Sequence, residues 1–502
     1  MKKMMECMKS SKLSIIVALA LFVVLSMSEA AAADKKAVPN IVVAIMTTGT
    51  QKDDLDLVTD KINAITREKI GATVKLLNIE PASYKQQMQL MLLSGEQVDL
   101  MLSGTIPDYF DLINQVNQGL LMPLDDLLKT DGRGIIANVP SEYIDSGKFG
   151  GKVFYIPRFS EMAKSRVWTF RTDLVDKYHF DLKSVKKLED IEPFLKAVKK
   201  NEKGMYGFCS KAGLDLALQY SPCDRLGDVY SGVLMNFGQD NIKVVNLFET
   251  PEYRSLCKLA EKWYNAGYTY PDIAMQTDEP VTMLSAGTAA SYYNDGKPGV
   301  DEQDSKAAGT KVVSVNIQPP SISTQTVNNF AWTIPSATKY PREAMAFLNL
   351  MYADKEVHNL LCWGIEGKHY VFTSDGHVTY PNGINGKNTG YYLASNFIFG
   401  NSYLTYVWEG TPIDIWEQTA KFRKSGVVSR ALGFVFNPKP VQSEYAAVAN
   451  VFNRYTKAIG NGTVNIDAEL PKFQQKLKDA GIDKVIAEKQ AQLTKWYNAN
   501  HN

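Results

Sequence analysis

Short apolar runs alternate with amphipathic stretches through the first hundred residues. Residues 41–46 (IVVAIM) form an apolar run of strand length that ends at Thr47-Thr48-Gly49-Thr50. Leu55, Val58, Ile62, Ile65 and Ile70 then recur at near-helical spacing, which predicts a helix over 53–70 with Gly71 as its stop. A second strand is predicted at 73–79 and a second helix at 84–94, closed by Gly95. A third strand at 98–102 breaks at Ser103-Gly104-Thr105, and 108–118 reads as helical again. Strand–helix–strand–helix–strand is the order of a mostly parallel sheet with helices on its faces. Ligands of such sheets sit outside the C-terminal ends of the strands. The segments 47–50 and 103–105 would share that rim, which makes Thr48, Ser103 and Thr105 candidate ligand contacts. The same residues are also ordinary turn chemistry.

A second unit starts after residues 150–157 (GGKVFYIP), a turn and short strand. A strand is predicted at 167–171, with Trp168 as core, and a helix begins at 172–178. Helices follow over 192–200, 213–219 and 251–266, the last ending at Gly267 with Trp263 packed inside. Residues 280–287 lead into a strand ending at Tyr292-Tyr293, and the polar stretch 294–310 reads as a surface loop. Strands at 311–317 and 329–334 precede a helix over 341–350. Residues 363–383 alternate aromatics with glycine and read as a β-rich insertion, and long amphipathic helices over 441–458 and 468–498 end the chain.

The N-terminus changes where this body must work. Lys2, Lys3, Lys9 and Lys12 precede the uncharged run 13–25, and small residues follow at 30–33. This is the order of a secretory signal peptide over residues 1–33. A membrane span needs about 20 apolar residues, more than this run supplies. Cys7 precedes the apolar core and Met27-Ser28-Glu29 follow it, so a lipoprotein cleavage box is absent and lipid attachment is in doubt. The rest of the chain is expected to be secreted or associated with the cell surface, and its length predicts two domains. Residues 1–33 carry four lysines and two glutamates, so the remainder has a net charge of −1, which excludes nucleic-acid binding by charge.

Candidate chemistry is sparse. Cys209, Cys223, Cys257 and Cys362 lack metal spacing; Cys209 and Cys223 would close a short disulfide loop, or all four are buried free thiols. The five histidines are dispersed, without the close spacing usual at zinc sites. No nucleophile-elbow, zinc-protease or phosphate-loop motif occurs, and no pair of carboxylates stands out as a glycosidase pair. An exported α/β chain of this kind points to binding rather than catalysis, with no cofactor.

Several segments then carry a family resemblance. Residues 95–101 (GEQVDLM), 118–124 (QGLLMPL), 151–157 (GKVFYIP), 171–178 (RTDLVDKY) and 263–267 (WYNAG) are similar, in order and spacing, to segments of extracellular solute-binding proteins of carbohydrate-type ABC importers. Residues 343–370, containing FLNLMYADKEV and GIEGKHY, resemble the LipO-like lipoprotein subgroup, which carries a C-terminal domain of unknown function. The resemblance covers residues 40–500. It implies a two-lobed periplasmic-binding-protein-like fold of type II, with hinge crossovers, and no bond chemistry. By analogy the first lobe comprises 38–155 and 311–355, and the second comprises 156–310 and 356–502.

On this resemblance a small solute, an oligosaccharide above all, is held between the lobes and delivered by a monomer to ABC permease subunits at the membrane. A sugar needs aromatic platforms and fixed polar partners. Tyr155 and Arg158 flank the first crossover, and Trp332 lies near the return to the first lobe. Of Tyr292 and Tyr293, strand alternation turns one towards the cleft and the other away. Trp363, Glu366 and Trp408 complete the candidates. The alternatives are a peptide or sugar-acid binder, a secreted glycoside-acting enzyme, and an adhesion or scaffold protein.

Overall fold

The computed structural model describes residues 38–49, 52–106, 108–210 and 214–501. The expected signal peptide lies outside them. Nine strands form the two main sheets. They are β1 (Asn40–Met46), β2 (Thr73–Ile79), β3 (Leu100–Ser103), β4 (Ile156–Pro157), β5 (Lys164–Arg171), β6 (Ser291–Gly296), β7 (Val312–Ile322), β8 (Ala331–Thr333) and β9 (Val427–Val428).

The first sheet runs β2-β1-β3-β8-β4. β1 pairs in parallel with β2 from Asn40↔Thr73 to Met46↔Ile79, and with β3, whereas β8 is antiparallel to β3 and β4. The predicted helix between β1 and β2 spans Leu55–Ile70, with Asp56 in its first turn, Arg67 and Lys69 in its last, and Gly71 in the left-handed conformation behind it. Those charges oppose the helix dipole at both ends. Its inner face buries Val58 and Ile62, and Asn63 clasps β2: Asn63 Nδ2 donates to Val74 O at 3.1 Å and Val74 N donates to Asn63 Oδ1 at 2.6 Å.

The second sheet runs β6-β5-β7-β9, with β5 antiparallel to both neighbours. One of its faces carries an aromatic core of Trp168, Phe170, Phe194, Phe208, Trp263 and Tyr293. A separate core joins Val233, Phe248 and Tyr253 to the helices that end the chain.

Three chain passages connect the sheets: β4 to β5, β7 to β8, and 405–426, which contains the helix Ile415–Lys424. This corrects the expected lobe boundaries in three places. β4, expected in the second lobe from 156 onwards, pairs with β8 in the first sheet. β7, placed in the first lobe from 311 onwards, pairs with β5 throughout the second sheet, with register shifts after Asn316 and Gln318. Conversely, Val357, Leu361, Tyr391, Leu393 and Phe399 pack into the first core, although residues from 356 onwards were expected in the second lobe. The helix Lys355–Trp363 explains this, because it continues the apolar face of Pro341–Ala353 onto the same core.

Other local expectations also shift. The expected loop 294–310 contains the end of β6 and a helix, Val300–Ala308. That helix buries Val300, Asp304 and Ala308, four residues apart, with a polar residue in the middle of the stripe. The expected β-rich insertion holds a single hairpin of Val371–Phe372 with Val378–Thr379. The expected helix 468–498 is two, Ile466–Asp479 and Ile482–His501, parted at Gly481, whose φ of +90° favours glycine. Cys209, Cys223, Cys257 and Cys362 are all free and buried. Among the described residues no helix is long and apolar enough to cross a membrane.

Candidate functional site

The C-terminal ends of β1 and β3 open onto the side where the chain crosses between sheets. Gly49 N donates to Leu393 O at 2.9 Å, and a Cβ on Gly49 would meet Tyr392 O at 1.9 Å. Thr105 N donates to Asn328 O at 2.9 Å, and a Cβ on Gly104 would meet Asn329 O at 2.1 Å. The glycines therefore let the segments 392–395 and 328–330 lie directly across the strand ends. This brings Phe330 and Phe397 onto the rim.

The two phenyl rings form the middle and one end of a row. Phe110 meets Phe330 edge-on at 5.7 Å between centroids, and Phe330 meets Phe397 edge-on at 5.1 Å. Phe397 is 39% exposed, Phe330 half-buried and Phe110 buried. The Arg158 guanidinium lies 5.6 Å from the Phe330 centroid and 5.3 Å from that of Phe397. Buried polar atoms that make no hydrogen bond among the described residues also gather here: Ser103 Oγ, Thr105 Oγ1, Arg158 Nε and Asn396 Oδ1.

Beside Arg158 and Phe397 a cavity of about 440 Å³ extends to the second lobe, where Tyr292, Asn294, Lys297 and Gln303 line it. Its cations are paired with carboxylates, and Glu279 and Asp304 also line it without an ion pair among the described residues. Glu161 lies 3.1 Å from Lys297 and 3.6 Å from Arg158, and Asp295 pairs with Lys164 at 3.1 Å and with Arg166. Burial pushes the Glu161 carboxyl up, but Lys297 and Arg158 outweigh it and hold the group at about 2. Asp295 is likewise raised by burial and lowered further by Arg166 and Lys164. The Tyr292 hydroxyl donates to Asp304, which also accepts from Asn294 Nδ2 at 3.2 Å.

A second cavity, of about 320 Å³, begins at the other end of the phenyl row. Gly104, Thr105, Phe110 and Asn114 line it from the first lobe, and Asp228, Tyr230, Phe436 and Tyr445 from the second.

The candidates from sequence divide accordingly. Arg158 and Tyr292 line the larger cavity, and Thr105 lines the smaller. Thr48 is exposed at the end of β1, with its backbone N donating to Ser395 Oγ at 3.4 Å, and Ser103 is buried at the end of β3. Three others are core residues with no surface to offer. Tyr155 is fully buried; its hydroxyl donates to Ser146 O at 2.7 Å and accepts from Asn328 Nδ2 at 2.7 Å. Tyr293 turns away from Tyr292 into the aromatic core, and Trp332 is buried with its Nε1 donating to Ile398 O at 2.8 Å. Trp363 and Trp408 pack on each other at 4.8 Å, with Tyr380 against Trp408, and Glu366 is an exposed turn residue; none of the three candidates lines either cavity. Phe330 and Phe397 escaped the sequence reading. Phe330 had a signal, since it ends a chain crossing; Phe397 stands in an irregular segment and had none.

Comparison with known proteins matches this architecture. The family described as bacterial extracellular solute-binding protein matches residues 54–357, and a domain of unknown function, DUF3502, matches 430–498. A carbohydrate ABC transporter substrate-binding protein of Streptococcus pneumoniae serotype 4 (strain TIGR4) is 27% identical over 458 residues, 88% of each chain. Lipoprotein LipO of Bacillus subtilis (strain 168) is 24% identical over 61% of this chain and 64% of its own. The crystal structure of the N-glycan transport solute-binding protein NgtS from S. pneumoniae superposes with a TM-score of 0.81 at 26% identity, over 92% of this chain and 100% of that one. Its complexes with Man1GlcNAc and Man5GlcNAc, over the same shares, give 0.71 at 25% identity and 0.68 at 26%. With the family matched over more than half its length and the two-lobed fold in agreement, the chain belongs to the bacterial extracellular solute-binding proteins.

Proposed function

We propose that the chain captures a neutral oligosaccharide between its lobes and presents it to the permease of an ABC importer, without making or breaking a bond. The observation that carries this reading is the Phe330–Phe397 platform set beside a polar cavity whose cations are all paired with its own carboxylates. The C–H face of a sugar ring packs on an aromatic surface, while its hydroxyls take fixed polar partners. Here Asn294, Gln303 and Arg158 Nε are such partners, with the Tyr292–Asp304 pair behind them. A peptide or a sugar acid brings charge of its own, and a desolvated charge without a counter-charge is costly. The cations of this cavity are all engaged by Glu161 and Asp295, and none is left over for the carboxylate of a sugar acid or of a peptide C-terminus.

The relatives support the same class, since the named ligands of the NgtS complexes are built of mannose and N-acetylglucosamine. The three NgtS structures have nearly constant identity and coverage, yet the match falls from 0.81 to 0.71 and 0.68 in the complexes. The difference is therefore one of shape, and this chain is nearer the form named without a ligand. That supports a cleft that closes on its solute by a population shift.

Calorimetric titration of the chain with Man1GlcNAc and Man5GlcNAc tests the proposal. Saturable binding is expected, and Phe397→Ala or Phe330→Ala weakens it about tenfold or more, as truncating an interface aromatic does. Binding of peptides or uronate oligosaccharides only would overturn the neutral-sugar assignment.

A further inference from the structure

The smaller cavity has a wall that the solute-binding match at 54–357 does not include. Phe436 and Tyr445 belong to the segment 430–498, which matches the domain of unknown function. We propose that this cavity is a second ligand chamber, taking the distal residues of the same oligosaccharide, and that the C-terminal domain supplies its outer wall. The inference rests on the carbohydrate reading above.

Continuity is the first argument. Phe110 lines the smaller cavity and touches Phe330, while Phe397 at the other end of the row lines the larger one. On this proposal a glycan follows the direction of the row from one cavity towards the other. The volume of about 320 Å³ is within the usual span for small-molecule pockets, roughly 300–1,000 Å³. The lining is also the mixture a sugar requires: Phe110, Phe436 and the Tyr445 ring as apolar faces, with Thr105 Oγ1 buried and without a hydrogen bond among the described residues.

The polar end of the chamber is held in place from the C-terminal domain. Tyr445 donates to Asp228 Oδ2 at 3.0 Å, and Tyr230 donates to the Tyr445 hydroxyl at 2.9 Å. Behind them Lys489, with none of its surface exposed, donates to Leu226 O at 3.3 Å and Gly232 O at 3.1 Å, and its Nζ lies 5.0 Å from the Phe436 centroid. One lysine of the last helix thus fixes both the loop 226–232 and the aromatic wall. Asp228 keeps a carboxylate at the cavity that can accept from sugar hydroxyls.

The test compares short and long glycans on the full chain. On the proposal, Man1GlcNAc occupies one cavity and the longer Man5GlcNAc extends into both. The wild type is expected to bind Man5GlcNAc more tightly. Tyr445→Ala, from the C-terminal wall, and Asn114→Ala, from the first-lobe wall, are each expected to weaken Man5GlcNAc about five- to tenfold, the loss of one or two net hydrogen bonds or ring contacts. Man1GlcNAc binding should change less than about twofold. Asn114 lies outside the C-terminal domain, so its variant decides the matter even where Tyr445→Ala disturbs folding. Equal loss for both glycans, or none for either, overturns the second chamber while leaving the carbohydrate reading standing. Failure of the wild type to bind either glycan overturns both.

Discussion

His358 stands where the third crossing leaves the first lobe, with none of its surface exposed. Its Nε2 lies 2.7 Å from Thr405 Oγ1, and its Nδ1 lies 3.2 Å from Met351 O. Burial pushes the imidazole down to about 4, against hydrogen bonds that favour its charged form. In the unfolded chain the group titrates near 6.5. Above that value both states are neutral and nothing is lost. As pH falls from about 6.5 towards 4 the unfolded chain takes up the proton first, so stability is lost through that window, by up to about 3 kcal/mol. His358→Gln should flatten this part of the profile when urea midpoints are measured from pH 7 to 4. An unchanged slope would show that other groups set it. At this scale the sequence was partly legible. Alternation separated Tyr292 from Tyr293, because a strand has two faces. Tyr155 and Trp332 defeated it, because a large aromatic beside a crossing serves a core as well as a cleft. Asn328, which meets the Tyr155 hydroxyl, and Ile398, which meets the Trp332 indole, are distant from them in the chain.

At the scale of elements, the Asn63 clasp ties the helix Leu55–Ile70 to β2 through two hydrogen bonds with Val74. Asn63→Ala leaves a buried N–H and C=O without partners, which costs about 1–3 kcal/mol. The urea midpoint should fall accordingly, while glycan affinity stays unchanged because the site is on the opposite end of the sheet. Loss of affinity without loss of stability would contradict this division. Elements with strong periodicity were readable: residues 40–103 follow the expected order of strands and helices throughout. The helix Val300–Ala308 was not, because only three of its nine residues are buried and one of those, Asp304, interrupts the buried stripe to meet Tyr292. The break at Gly481 was also hidden, since both flanking helices continue the same amphipathic pattern.

At the scale of the molecule, two lobes and crossovers between them were legible from length, strand–helix order and family resemblance. Membership was not. The chain passes between sheets three times, and nothing local in β7 or in 356–403 announces which sheet each will join; only the partner surfaces decide. The cleft is built at these passages, so Phe330 and Phe397 became visible only once the crossings were traced. Hinge segments of this kind absorb the dihedral changes of domain closure. Capture between the lobes should therefore change the shape of the whole molecule. Small-angle X-ray scattering during titration with Man5GlcNAc tests this most directly. The radius of gyration is expected to fall and to saturate at the glycan concentration where the binding heat saturates. Binding heat with an unchanged radius of gyration would contradict capture by closure between the lobes.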